Sequence, residues 1–292
     1  MKKLYSNKLT ILLFVLPALL LFLVILVAPI FLSGYYSFFD WNGFGKKVFI
    51  GLDNYKELFN SNSIGFMKAL GNALLLAFLS VVVQLPIALG LALLLGKGRK
   101  GERAFLSTYF MPVLISTVVI GQLWLKIYNP SYGILNVMLR SIGLGSLAKI
   151  WLDRGTALGA VFVPVIWQYI GYHMLLMYAG IKSVPTEYRE AAMIDGAREG
   201  QVNRYIVLPY IKPILKISTI FAVTGSLKSF DLIYVLTNGG PLHATEVPST
   251  LMINMLFLRN RYGMGSTIAL LLIILCFSFA LIIGRIFKNK ED

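Results

Sequence analysis

The chain has 292 residues, 57% hydrophobic and only 14% charged, with a formal net charge of +14. A soluble domain carries about 25% charged residues, so this composition excludes an ordinary globular protein and indicates a polytopic membrane protein. The positive balance does not indicate nucleic acid, because the basic residues cluster at the ends of the apolar runs.

Six runs reach the roughly 20 residues that a helix needs to cross a bilayer: 9–33, 69–95, 105–127, 157–181, 214–236 and 266–287. The chain is therefore expected to be all-α, with six transmembrane helices. The start, MKKLYSNKLT and then apolar residues, resembles a signal peptide. Its apolar run is too long for a cleaved segment and no small-residue cleavage site follows, so it reads as a retained first span.

Basic residues orient the spans. One side carries Lys2, Lys3, Lys8, Lys97, Arg99, Lys100, Arg103, Lys182, Arg189, Arg198, Arg204, Lys212, Lys216, Arg285, Lys288 and Lys290. The other carries fewer over longer loops: Lys46, Lys47, Lys56, Lys68, Lys126, Arg140, Lys149, Arg154, Arg259 and Arg261. The first side is expected to be cytoplasmic, with both termini inside.

The first outer loop holds Phe38-Phe39-Asp40-Trp41-Asn42-Gly43 and Gly51-Leu52-Asp53-Asn54-Tyr55, read as turns beside an interfacial aromatic belt. The second span contains Asn72, Gln84 and Pro86, and the third Pro112, Gln122 and Trp124. Tyr128-Asn129-Pro130-Ser131-Tyr132-Gly133 is a turn cluster. The fourth span is rich in amphipathic side chains: Trp167, Gln168, Tyr169, Tyr172, His173 and Tyr178.

A long polar interval follows, EYREAAMIDGAREGQVNRYIVLPYIKP, residues 187–213. Helix formers over 187–197, a start signal at Pro185-Thr186 and a turn at Gly196 predict helix, glycine turn, helix. Leu208-Pro209 is expected to end the second helix. Ala191 and Ala192 offer a smooth face that another protein can approach closely. The spacing E-A-A-x3-G-x9-I-x-L-P fixes Glu190, Ala191, Ala192, Gly196, Ile206, Leu208 and Pro209. It resembles the signature loop of permease subunits of binding-protein-dependent ABC importers. An amphipathic loop lying on the bilayer surface would not require the full spacing.

In the fifth span, Gly225-Ser226-Leu227-Lys228-Ser229-Phe230-Asp231 places two charges inside an apolar run. Each would cost about 2.5–3.5 kcal/mol at the bilayer centre. Lys228 and Asp231 are three apart and expected to pair on one helix face, turned to a cavity or a partner subunit. The continuation through Thr237-Asn238-Gly239-Gly240-Pro241 resembles maltose-type permeases, as do the first outer loop and the turn cluster, completed by Gly133-Ile134-Leu135-Asn136.

That resemblance implies the type I importer permease fold. It divides the chain into a first helix with its outer loop (1–68), a permease core (69–287) with a cytoplasmic coupling loop at 182–213, and a cytoplasmic tail (288–292). It implies a carbohydrate or polyol as substrate, a second homologous permease, two ATPase subunits and an extracytoplasmic solute-binding protein, at the cytoplasmic (inner) membrane of a prokaryote. The loop residues named above would couple to the ATPase.

No phosphate loop is present. The string GLALLLGKG at residues 90–98 has five residues between its glycines and no Ser or Thr after Lys97. ATP and magnesium would therefore belong to the partner ATPase, with no cofactor and no enzyme activity on this chain. One cysteine, Cys276, and two isolated histidines, His173 and His243, leave no cysteine or histidine metal site, and His173 reads as a packed or interfacial histidine rather than a ligand. Sugar recognition combines aromatic faces with planar hydrogen-bonding groups in a concave site. Trp167, Gln168 and Tyr172 fit this, as do Lys228, Asp231, Tyr234 and Asn238. Asp231, Tyr234 and Asn238 share a face if the helix runs that far. The rival reading is an ion- or proton-coupled secondary transporter with Lys228–Asp231 as its coupling site. A polytopic membrane enzyme would need a catalytic motif on a span, and none appears.

Overall fold

A computed structural model describes residues 8–61, 64–98 and 101–288. Lys2, Lys3, Arg99, Lys100 and Lys290, used above for orientation, lie outside the described residues. Among the described residues, five helices are long and apolar enough to cross a membrane: Ile11–Tyr36, Phe66–Leu95, Ala157–Lys182, Lys212–Thr237 and Tyr262–Ile286. A sixth crossing results if Glu102–Leu114 and Thr117–Ile127 count as one span.

Two of the expected helices are not continuous. The third run bends by 96° between Leu114 and Thr117, where Ile115 and Ser116 are extended. Pro112, lacking an N–H, weakens the turn before the bend. The fifth run stops at Leu227 and restarts at Asp231.

Several prolines, by contrast, do not stop their helices, and Pro17 and Pro164 lie inside continuous ones. Pro29, Pro86 and Pro209 each follow a π-helical turn, at Leu23–Val27, Ser80–Gln84 and Asn203–Val207. A proline ring clashes with the carbonyl four residues back. The wider π turn moves that carbonyl aside, so the helix continues. Leu208-Pro209 is expected to end its helix, and the helix ends one residue later, at Tyr210.

The chain forms two compact units, residues 1–64 with 252–273, and residues 65–251 with 274–292. The first unit contains a two-stranded antiparallel ribbon pairing Phe39 with Phe49 and Asp40 with Val48, then the helix Asp53–Asn60. Buried Asn54 clamps this region by donating to the carbonyls of Ser37 at 2.8 Å and Phe39 at 3.0 Å. Arg261 donates to both oxygens of Glu57, at 2.7 and 2.5 Å. These hydrogen bonds hold the Glu57 carboxyl below its usual value.

In the second unit, Ala157–Lys182 packs against Leu85–Leu95 and Glu102–Leu114. Small residues allow the close approach: Ala88 and Ala92 on Leu85–Leu95 are fully buried. At Gly171 a Cβ would stand 1.8 Å from the Tyr109 carbonyl oxygen, so only glycine fits that crossing.

Gly171→Ala should therefore force Glu102–Leu114 away and destabilise the protein by about 1–3 kcal/mol. A lowered melting temperature in detergent would show this, while Gly159→Ala, with nothing within 4 Å, should not lower it. In the first unit, Glu57→Gln should reduce stability at neutral pH. Because the folded value is depressed, the contribution of Glu57 is present above the usual 4.5 and lost as pH falls below it. Melting curves of the two proteins should accordingly converge in acid.

Candidate functional site: a cavity at the helix breaks and a helical knob

A cavity of about 390 Å³ opens in the second unit, within the range of about 300–1,000 Å³ of small-molecule sites. Its walls come from the places where helices are irregular. Ser80 and Gln84 belong to a π turn, Val113 and Thr117 flank the 96° bend, and Lys228, Ser229, Phe230 and Asp231 span the break of the fifth run. Gln168, Tyr169, Tyr172 and His173 face these from the unbroken helix Ala157–Lys182.

The polar groups of this cavity are held in place. Ser80 and Ser226 hydrogen-bond at 2.9 Å. His173 Nδ1 lies 2.7 Å from Ser218 Oγ, so it is packed as expected, yet it also lines the cavity. Gln168 is 2% exposed. Its Nε2 reaches only the Pro112 carbonyl, at 3.5 Å, and its Oε1 is buried without a hydrogen-bond partner. A buried orphan acceptor is uncommon and calls for a reason.

Of the seven pathway residues read from sequence, Gln168, Tyr172, Lys228 and Asp231 meet at this cavity. Trp167 does not; it stands edge-on to Trp124 at 5.9 Å. Tyr234 stacks on Phe230 at 5.0 Å. Asn238 does not share a helix face with Asp231, because the helix ends at Thr237 and Asn238 turns left-handed at φ 49°. Lys228 and Asp231 form no ion pair. The break between them removes the helical geometry that would bring residues three apart together. Ser80, Thr117, Tyr169 and Ser226 were missed; two serines and Gln84 in otherwise apolar runs were the available signal.

The polar interval after Lys182 folds as helix Thr186–Ile194, a turn, and helix Glu199–Val202 continuing to Tyr210. Gly196 takes φ +83° at the turn, a conformation that L side chains rarely adopt. Val202, Val207 and Ile211 are buried in one cluster with Leu85, Ala92, Met174 and Ile181, which fixes the knob to two long helices. Lys97 pairs with Glu199 at 2.7 Å, and Glu102 with Lys182 at 3.3 Å. Tyr178 also donates to Glu102, and Arg189 donates to the Ile181 carbonyl at 3.0 Å.

The seven motif residues divide. Glu190, Ala191, Gly196 and Pro209 are exposed. Ala192, Ile206 and Leu208 pack against the buried cluster, so Ala191 and Ala192 do not share one open face. Large apolar side chains that the sequence reading passed over stand out on the knob: Ile194 is 86% exposed, with Tyr188, Met193 and Tyr205 also open.

Residues 84–290 match the family described as binding-protein-dependent transport system inner membrane component. The probable ABC transporter permease protein YurN of Bacillus subtilis is 38% identical over 98% of this chain and 99% of its own length. The trehalose/maltose transport system permease protein MalF of Thermococcus litoralis is 32% identical over 96% of this chain and 94% of its own. A crystal structure of a bacterial ABC transporter involved in the import of the acidic polysaccharide alginate has a chain matching with a TM-score of 0.85 at 24% identity. That match covers 100% of this chain and 99% of the other, and it establishes the shared fold.

An unpaired buried amide costs about 1–3 kcal/mol. Gln168→Met should therefore leave the melting temperature in detergent unchanged or raised. A drop of several degrees would mean that the amide serves the fold rather than the cavity.

Proposed function

This chain belongs to the family of binding-protein-dependent transport system inner membrane components, and we propose that it is the sugar-translocating permease of an ATP-driven importer, coupled to a separate ATPase through its helical knob. The observation that carries this is the knob itself. It holds the complete seven-residue motif, is fastened from behind by Val202, Val207 and Ile211, and presents Glu190 and Ala191 among exposed apolar side chains. Apolar side chains left open around a charged residue suit a protein contact better than water.

In this reading the knob lies in the cytosol with both termini, and Glu190 enters a groove of the ATPase, where ATP and magnesium are bound. Closure of the ATPase dimer moves the knob as a rigid body. Because the knob shares a core with Leu85–Leu95 and Ala157–Lys182, that movement reaches the helices lining the cavity. A second permease completes the pathway, and an extracytoplasmic binding protein delivers the substrate.

A carbohydrate is favoured by the name of the Thermococcus relative and by the cavity chemistry. Tyr169, Tyr172 and Phe230 supply ring faces, and Gln84, Gln168, Lys228 and Asp231 supply donors and acceptors. The ion-coupled alternative rested on a Lys228–Asp231 pair, and without that pair no observation favours it.

Gly196→Val tests the coupling role. Forcing a non-glycine residue left-handed costs about 1–2 kcal/mol, enough to reshape an exposed turn without unfolding the spans. Sugar uptake should be lost while membrane insertion is retained. Gly200→Ala, with open space around it, should transport normally. Normal uptake by Gly196→Val would contradict the role.

A further inference from the structure

The segment joining Thr117–Ile127 to Ala157–Lys182 is built around one polar side chain. Asn136, on the short helix Ile134–Ser141, is 1% exposed. Its Nδ2 donates to the carbonyls of Lys149 at 2.9 Å and Pro130 at 3.3 Å. Its Oδ1 accepts from Trp151 Nε1 at 2.8 Å and from the Lys149 amide at 3.3 Å. With the amide turned inward, the apolar side chains face out. Ile134, Val137, Met138, Ile142, Leu147 and Ile150 are between 48% and 66% exposed. This inverts the pattern of a water-facing helix, and a patch of this kind marks a contact surface.

Two observations select the bilayer boundary as the contact. A chain of rings runs from Trp167 to Trp124 at 5.9 Å, on to Tyr128 at 5.2 Å and to Trp151 at 6.2 Å. It starts at Trp167, eleven residues into Ala157–Lys182, and passes through Trp124 and Tyr128 at the end of Thr117–Ile127 into this segment. Tryptophan and tyrosine gather at the level of lipid headgroups, so the ring chain sets the segment at that depth. The segment is also basic. Residues 129–156 carry Arg140, Lys149 and Arg154 against the single acid Asp153, which suits anionic phosphates. Long basic side chains can reach headgroups while their apolar neighbours sink deeper.

We propose that residues 134–150 form an interfacial anchor. Its outward apolar side chains enter the boundary between headgroups and acyl chains, and Arg140, Lys149 and Arg154 meet lipid phosphates. The anchor would fix the ends of Thr117–Ile127 and Ala157–Lys182 at the membrane surface. It requires only that the chain spans a bilayer, not that it imports sugar.

The single native cysteine makes a direct test simple. In a Cys276→Ser background, a spin label is placed at Met138→Cys in the full chain, purified with its accompanying subunits. The protein is reconstituted in vesicles of phosphatidylcholine and phosphatidylglycerol. Oxygen should reach the label more readily than a water-soluble nickel chelate, giving a depth of about 5–10 Å below the phosphates. A label at Asp153, exposed and outside the anchor, should show the reverse preference. Access of the chelate to Met138 as ready as to Asp153 would overturn the anchor, because the patch would face water. So would a Met138 label shielded from both reagents, because another protein would then cover the patch. Val137→Cys gives a second reading should the first variant fail to insert.

Discussion

Inside a bilayer no water is available to a backbone amide or carbonyl that has lost its helical partner. A break in a spanning helix is therefore tolerated only where protein or a hydrated cavity covers it. In this chain three such irregularities gather in one place. The π turn at Ser80–Gln84, the bend at Ile115–Ser116 and the break at Lys228–Phe230 all border the same cavity. Only Ala157–Lys182 passes it unbroken, so that helix acts as the wall against which the broken ones are arranged.

The same long helix joins the cavity to the knob. Its middle presents Gln168, Tyr172 and His173 to the cavity, and its end buries Met174, Met177 and Ile181 in the core that also holds Val202, Val207 and Ile211. Close packing leaves little room for one end to move alone. Gly171, pressed against the Tyr109 carbonyl, extends that contact to the helix just before the 96° bend. A force applied at the knob has a continuous packed route to the cavity wall.

Much of this was legible in the sequence, and the exceptions have physical causes. Apolar runs of spanning length gave away the helices, and the E-A-A-x3-G spacing located the knob, because Gly196 at φ +83° is a backbone requirement that sequence records directly. The bend in the third run was invisible, since hydrophobicity continues straight through Ile115. The break at Lys228–Phe230 was read as continuous helix for the same reason, and the expected Lys228–Asp231 pair failed with it. Pro209 was read as a stop, and the helix ends one residue later; the π turn before it, at Asn203–Val207, has no signal in the local sequence. Trp167 and Tyr234 looked like substrate groups because an aromatic facing a neighbouring ring and one facing a cavity are the same letter.

The central claim is that the knob docks on a separate ATP-hydrolysing subunit. Its most direct test is purification of the tagged chain from membranes in mild detergent, with ATPase activity measured on the eluate. The account predicts that an ATP-hydrolysing subunit and a second permease elute with the chain. A chain that elutes alone, and that after reconstitution takes up substrate on a proton or sodium gradient, would contradict it.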